Sequence, residues 1–186
     1  MLPEISLNIL DIAENSVKAG ASCIEIGITI LPEAHTLSLR IRDNGCGMNG
    51  EQLRQVTDPF FTSRTTRKVG LGIPFLKQAA ELTGGSFSIS SEPGQGTLVE
   101  ALFRTDSIDC MPLGNAAESV YTLLLMHEEI RFLYRYQVGE EAFTLDTEEL
   151  REILGEEISY QEPEVAEFIR SYLTENSKQV ERSQLL

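Results

Sequence analysis

The order of hydrophobic patterns in the first hundred residues limits the fold more than any other feature of this chain. Helical spacing and strand-like alternation follow one another as helix, strand, strand, loop, helix, strand, strand. The predicted segments are a helix over 5–17, strands over 24–30 and 37–42, a glycine loop over 43–48, a short helix over 51–56, a helix over 72–83, and strands over 87–89 and 98–103. This order predicts an α/β (α+β) two-layer sandwich, a mixed sheet with helices on one face, because a doubly wound fold would alternate strands and helices.

Acidic residues are concentrated in the last part of the chain. The 186 residues carry a formal net charge of −14, with 11 acidic and 9 basic residues up to residue 104 and 18 acidic and 6 basic residues after it. So acidic a chain is not expected to bind nucleic acid. The shift in composition predicts a first domain over 1–104 and an acidic module over 115–175. This module is expected to serve as a partner or dimer interface, and a cap that completes the core is the alternative.

The acidic module has its own pattern of elements. Val120–Met126 and Ile130–Val138 have the composition of strands and predict a β-hairpin, which places His127 in its turn. Short helices are predicted over 147–154 and 163–173. The polar residues over 176–186 predict a frayed tail.

No targeting or membrane segment is expected. The apolar stretches are too short to cross a bilayer, and Met1-Leu2-Pro3-Glu4 lacks the basic and apolar regions of a signal peptide. The three cysteines are odd in number and lack metal-site spacing, so neither a disulfide framework nor a zinc site is predicted. We therefore expect a cytoplasmic protein without membrane attachment.

The first helix carries polar residues that suggest chemistry. Asp11, Glu14, Asn15 and Lys18 are spaced so that they share one side of this helix. Asparagine is a poor helix former, and its amide oxygen can complete the oxygen shell of a magnesium ion already held by phosphates. Lys18 could then meet the phosphates. A solvated polar face is the alternative interpretation of the same pattern.

A second candidate segment follows the second strand, at Asp43-Asn44-Gly45-Cys46-Gly47. A carboxylate at the end of a buried strand can accept a hydrogen bond from the adenine amino group. The glycines let the backbone turn closely past the base, and Met48 follows them. The alternative is a plain turn after a strand.

The third candidate segment, Gly70-Leu71-Gly72, opens the helix predicted over 72–83. A glycine loop at a helix start presents free N–H groups to phosphate. The third glycine of a dinucleotide fingerprint is replaced by Phe75, and no Walker Gly-Lys-Ser/Thr follows. A bare helix start is the alternative.

In this order the segments resemble the boxes of the GHKL (Bergerat) ATP-binding fold. The family includes sensor histidine kinases, anti-sigma-factor kinases, DNA gyrase, the ninety-kilodalton chaperone and MutL. The matching boxes are Asn15 to Lys18 (N), Asp43 to Gly47 (G1), Asp58-Pro59-Phe60-Phe61-Thr62-Ser63 (F), Gly70-Leu71-Gly72 (G2) and the final hairpin Ser91 to Thr97. The N and G1 boxes resemble those of MutL, whereas Lys18, the Phe-Phe-Thr segment and the hairpin resemble those of histidine kinases.

The resemblance implies ATP and Mg²⁺ as ligands and a role for each matching residue. By this resemblance Asn15 would bind magnesium, Lys18 would contact phosphate, and Asp43, supported by Thr97, would bind adenine. The pocket would be shaped by Gly45, Gly47, Gly70 and Gly72, and further nucleotide contacts would come from Met48, Phe60 and Leu71. Residues 57–69 would form an ATP lid, with Arg64, Arg67 and Lys68 near the phosphates.

The resemblance leaves the fate of the γ-phosphate open. MutL-like ATPases carry a glutamate four residues before the asparagine as general base, and this chain has the shorter Asp11 there. Histidine kinases carry an acceptor helix upstream, whereas here the first box starts near Met1. Three hypotheses follow: a stand-alone kinase or regulator acting on a His or Ser of a separate protein partner, an ATP-gated binding switch, and a slow MutL-like ATPase that dimerises on ATP.

Overall fold

Six strands form one mixed sheet in the computed structural model, which describes residues 4–57, 72–155 and 158–183. The strands are β1 (Cys23–Leu31), β2 (Thr36–Asp43), β3 (Ser86–Glu92), β4 (Gly96–Arg104), β5 (Arg131–Val138) and β6 (Glu141–Asp146). Their order across the sheet is β3-β4-β2-β1-β5-β6. Every neighbouring pair is antiparallel except β1 and β5, which run parallel.

The helices pack on one face of this sheet. They are α1 (Ile5–Lys18), α2 (Gly50–Thr57), α3 (Gly72–Leu82), α4 (Ala116–Met126), α5 (Thr147–Leu154) and α6 (Pro163–Ser183). Helix α1 contacts β1 and β2, α3 contacts β3 and β4, and α6 contacts β5 and β6. On β1, Ile24, Ile26 and Ile28 are buried under the helices, and the alternate residues face outward. The predicted sandwich is thus confirmed.

Helix α1 is placed by its apolar stripe. Ile5, Ile9, Ile12 and Ala13 are all at most 2% exposed, which turns the polar side of the helix away from the core. The polar side is therefore free to face a ligand. In the described residues, no helix is long and apolar enough to cross a membrane.

The hairpin predicted from Val120–Met126 is wrong, because this segment forms most of helix α4. Asn115 caps the helix by accepting a hydrogen bond from the backbone N–H of Glu118 (3.0 Å). The helix lies between α1 and α6 and buries Val120, Leu123 and Leu124 completely. A helix covered on more than one side is apolar over most of its surface, so its sequence resembles a strand.

The C-terminal region differs from its prediction in two further ways. The hairpin of this region is formed by β5 and β6, so the turn lies after Val138 and not at His127. Helix α6 continues to Ser183 with Val180 buried, so the tail predicted to fray from 176 is helical over most of its length. The division into a domain over 1–104 and a module over 115–175 stays a prediction, although both parts contribute strands to the same sheet.

Candidate functional site

Three predicted segments meet around one cavity of about 630 Å³. The cavity lies between the C-terminal half of α1, the end of β2 with the loop after it, helix α2, the start of α3, and β4 of the final hairpin. Six of the predicted site residues line it: Asn15, Lys18, Asp43, Gly47, Met48 and Thr97. The sequence therefore predicted the convergence of its first two segments with the final hairpin.

The carboxylate of Asp43 is fixed in the cavity by hydrogen bonds. Its side chain ends β2, is 7% exposed, and accepts three hydrogen bonds. The Ser16 hydroxyl donates to Oδ2 (2.6 Å), while the backbone N–H groups of Gly45 (2.9 Å) and Thr97 (3.2 Å) donate to Oδ1. Because a carboxylate oxygen can accept two hydrogen bonds, Oδ2 keeps one acceptor position for a ligand.

The glycine loop after β2 is wedged between two other backbones. Gly47 has φ +65°, and a Cβ atom there would lie 1.9 Å from the carbonyl oxygen of Glu92. A Cβ atom at Gly45 would lie 2.8 Å from the Cβ atom of Ala19. Both positions thus require glycine, although Gly45 shapes the loop without lining the cavity.

A hydroxyl network joins this loop to the final hairpin. Ser91 Oγ accepts a hydrogen bond from the Met48 N–H (2.8 Å), donates to the carbonyl of Gly96 (2.8 Å), and lies 2.9 Å from Thr97 Oγ1. With its own proton used on Gly96, Ser91 receives the Thr97 proton. Thr97 is therefore fixed beside Asp43 by both its backbone and its side chain.

Sequence reasoning missed several residues of the site. Ser16 and Ser91 lie inside the matched boxes, but their hydrogen bonds to Asp43 and Met48, which are far away in sequence, were not predicted. Asn44 was given no role of its own in the second candidate segment, yet its side-chain oxygen accepts from the backbone N–H groups of Ser22 and Cys23, 2.9 Å each. The apolar lining was also missed; it consists of Ile12, Ile41, Val56, Ile73 and Val99.

Asp11 lies away from the cavity lining. Its side chain packs against the first residue of α3, since a Cβ atom at Gly72 would lie 2.9 Å from Asp11 Cβ and 3.3 Å from its Oδ2. Burial raises the pKa of the Asp11 carboxyl above its ordinary value, and the Lys18 ammonium opposes that rise. The proposed base thus sits one helical turn from Asn15 without facing the cavity among the described residues.

Several predicted residues lie outside the described ranges. They are Phe60, Arg64, Lys68, Gly70 and Leu71, together with the Asp58 to Ser63 box and nearly all of the lid predicted over 57–69. Gly72 is buried and is the first residue of α3. Ile73, the next residue, lines the cavity, so the start of this helix lies at the cavity wall.

Comparison with known proteins identifies the family. A model of the histidine kinase-, DNA gyrase B- and HSP90-like ATPases matches residues 4–107. The cell-division control histidine kinase PdhS of Brucella ovis is 30% identical over 116 residues, which cover 55% of this chain and 11% of that protein. The chain thus spans about a tenth of the length of that relative.

The chain also matches two solved structures. The N-terminal domain of a DNA repair protein has a TM-score of 0.53 at 10% identity, with 78% of this chain and 53% of that chain covered. The ATPase domain of Aquifex aeolicus MutL, solved in complex with ADP, has a TM-score of 0.48 at 13% identity, with 83% and 70% covered. The family model covers more than half of this chain. The chain therefore belongs to the histidine kinase-, DNA gyrase B- and HSP90-like ATPase (GHKL) family and carries its ATP-binding domain.

Proposed function

We propose that the cavity binds Mg-ATP, with the adenine against Asp43 and the phosphates toward Lys18 and the start of α3. The observation that carries this proposal is the hydrogen bonding of Asp43, whose three donors fix a buried acceptor with one position left open. The adenine amino group is a donor of the matching kind. The apolar lining would cover the faces of the base.

The residues of the cavity fit a magnesium ion that arrives with the nucleotide. Asn15 lines the cavity, and no hydrogen bond to another described residue occupies its side-chain amide. Among the described residues no cluster of three His, Cys, Asp or Glu could hold an ion unaided. Mg²⁺ commonly takes one or two protein oxygens and completes its shell with phosphates and water, so Asn15 would be its protein ligand.

The phosphates would be bound by fixed charge and by backbone. Lys18 lies one turn beyond Asn15 on α1 and lines the same cavity. Helix α3 starts at the cavity wall, and its first N–H groups carry the positive end of the helix dipole. Gly70 and Leu71 precede this start, and Phe60, Arg64 and Lys68 belong to the predicted lid; all five are proposed as nucleotide contacts.

We infer that the bound ATP serves a separate protein partner, as substrate for a kinase or as signal for a regulator. The chain has only two histidines, and neither lines the cavity. His35 lies in the turn between β1 and β2, and His127 is bonded to Glu14. A histidine acceptor would therefore come from outside these 186 residues, and the chain would orient the γ-phosphate by position and electrostatics.

One observation favours a second candidate, a nucleotide-gated switch or slow ATPase. Asp11 packs against Gly72 and does not line the cavity among the described residues. A general base must reach the attacking water within hydrogen-bond distance. Slow or absent hydrolysis would leave ATP binding itself as the signal.

Two experiments test these proposals. Isothermal titration should show ATP binding that requires Mg²⁺, with a weaker Mg²⁺ dependence for Asn15→Ala than for the wild-type chain. Asn176→Ala on α6 is the matched control, because Asn176 bonds only within its own helix among the described residues. The proposal fails if the wild-type chain does not bind ATP.

The fate of the γ-phosphate distinguishes the candidates. The chain is incubated with γ-labelled ATP and proteins from its native source. Label on a second protein supports the kinase, free phosphate supports the ATPase, and unchanged ATP with retained binding supports the switch. A homodimer that forms only with ATP, measured by light scattering, would support the MutL-like alternative.

A further inference from the structure

One side-chain contact links α1 to the C-terminal region beside Asn15, although neither partner lines the cavity among the described residues. His127 Nε2 lies 2.6 Å from the Glu14 carboxylate, and the two residues are 113 positions apart in sequence. The side chains are 14% and 31% exposed. Since a carboxylate accepts and does not donate, the Nε2 atom carries the proton of this hydrogen bond.

The place of the contact matters because Glu14 directly precedes Asn15. On a helix, consecutive residues point about 100° apart, so Glu14 is held on one side of α1 while Asn15 faces the cavity on another. The bond to Glu14 therefore acts together with the buried apolar stripe of α1 to fix the rotation of the helical turn that presents Asn15 and Lys18. His127 ends α4 as its C-cap residue, so the other end of the bond is anchored in a packed helix.

The same C-terminal segment also holds the beginning of α1. The N–H groups of Ile5 and Ser6 donate to the carbonyls of Pro112 (3.0 Å) and Leu113 (2.8 Å). The buried Ser119 hydroxyl, on α4, donates to the carbonyl of Ser6 (3.0 Å). Helix α1 is thus tied to residues 112–127 near both of its ends, and α4 in turn packs against α6.

We propose that His127 is a positioning residue for the nucleotide site, and that through it nucleotide binding and the docking of α4 reinforce each other. This inference rests on the proposed function. If the Glu14–His127 bond holds α1 in the orientation that binds nucleotide, linkage requires the bound nucleotide to stabilise the same bond and the packing of α4. The packing of α4 in the C-terminal region then depends on whether nucleotide is bound.

The test compares ATP affinities of the full 186-residue chain by titration calorimetry with Mg²⁺. His127→Ala should weaken ATP binding about 5- to 10-fold, at the lower end of the coupling usually found between linked sites. His127→Gln places an amide N–H near the Nε2 position and should stay within about twofold of wild type. Because the bond is shared, Glu14→Ala with His127→Ala should be no weaker than either single variant.

Two controls separate positioning from general support. His35→Asn changes the other histidine, at φ +51° where asparagine is tolerated, and should leave affinity unchanged. In hydrogen exchange, ATP should slow the amides at the end of α4, including His127 N–H, which donates to Leu123, in wild type but not in His127→Ala.

Wild-type affinity in His127→Ala overturns the inference even if its melting temperature falls, and equal losses in His127→Gln and His127→Ala overturn it as well. If the wild-type chain binds no ATP, the proposed function fails too. A chain that binds ATP with no change at residue 127 refutes this inference alone.

Discussion

The two parts of the sheet keep their polar groups in different places. Around β2 and β4, polar groups are inside: the buried Asp43 carboxylate meets Ser16 and two backbone donors beside an open cavity. Around β5 and β6 the interior is filled by aromatic rings, and the charged side chains pair at the surface, as in Arg131 with Asp146. Oriented buried donors suit ligand binding, whereas exposed ion pairs contribute little energy. We therefore propose that the first part, called the binding part below, holds the nucleotide, and that the second part, called the supporting part, stabilises it.

The largest effect is expected from adding a methyl group to the binding part, in Gly47→Ala. The new Cβ atom would lie 1.9 Å from a backbone oxygen of Glu92, so the loop must move away from the hairpin. We expect a loss of about 4 kcal/mol or more in the free energy of unfolding, measured in urea, because φ strain and overlap with backbone add.

Gly94→Ala is the matched control for that variant. Gly94 also has positive φ (+77°), but nothing lies within 4 Å of its added Cβ atom. It should lose only about 1 kcal/mol, the cost of the left-handed conformation alone. Equal losses of stability in both variants would show that the loop is not tightly packed against the hairpin, and would contradict a rigid binding region.

Creating a cavity in the supporting part tests whether this part stabilises the whole fold. Leu123 on α4 is completely buried, so Leu123→Ala should lower the free energy of unfolding by about 3 kcal/mol. The unfolding transition should stay single, since β5 completes the same sheet as β1. Met126→Ala, 59% exposed on the same helix, should change stability by less than about 0.5 kcal/mol. A separate transition for the C-terminal region would contradict a supporting role.

Asp43→Asn removes the binding chemistry and keeps the shape. The amide oxygen can still accept from Gly45 and Thr97, but the NH₂ group faces Ser16 and would repel the adenine amino group. ATP affinity should fall about 100-fold, roughly 2.7 kcal/mol, in a calorimetric titration. Asp106→Asn, in the exposed turn after β4, should bind like wild type. An unchanged ATP affinity in Asp43→Asn would show that the adenine does not bind in this cavity.

The smallest effects concern pH and have opposite signs in the two parts. The pKa of Asp11 is raised by burial, so the folded state binds this proton more tightly, and ionisation of Asp11 reduces stability as pH rises above about 4. The pKa of Asp146 is lowered by its hydrogen bond from Arg131, so its contribution is present at neutral pH and lost as pH falls below about 4.

Two substitutions measure these signs. At pH 7, Asp11→Asn should raise the free energy of unfolding and Asp146→Asn should lower it, each by less than about 1 kcal/mol because the groups are partly exposed. Asparagine at 146 can still cap α5 through the N–H of Glu148, so the loss reports the ion pair. Urea unfolding at pH 3 to 7 measures both, and changes of the same sign would contradict the assignment.

The binding part could be predicted because its loops require particular residues. Gly47 has positive φ and lies against the backbone of Glu92, and Asp43 ends a regular strand. Both features leave a signal in the local sequence. The hydrogen bonds of Ser16 and Ser91 reach across 27 and 43 residues. Such partners depend on tertiary packing, and one sequence does not reveal them.

The supporting part was predicted less well because its helices are buried. The run Val120 to Met126 has no polar stripe, and periodicity alone does not separate a buried helix from a strand. The signal that was missed is Asn115 three residues before Glu118, a helix cap. Strand β6 escaped notice because Glu141 and Ala142 are weak strand formers paired by tertiary context.

The parallel pairing of β1 with β5 has a consequence for the synthesis of the chain and for its truncation. β1 finds β2 across a short turn, but its other neighbour is synthesised roughly a hundred residues later, with Cys23 opposite Arg131. Until then one side of β1 presents unpaired N–H and C=O groups, a template on which another chain can add a strand. A fragment ending at residue 104 would contain the proposed nucleotide-binding residues and expose this edge permanently. Such a fragment would be prone to aggregate, and its α1 would also lack the contacts made by residues 112–127.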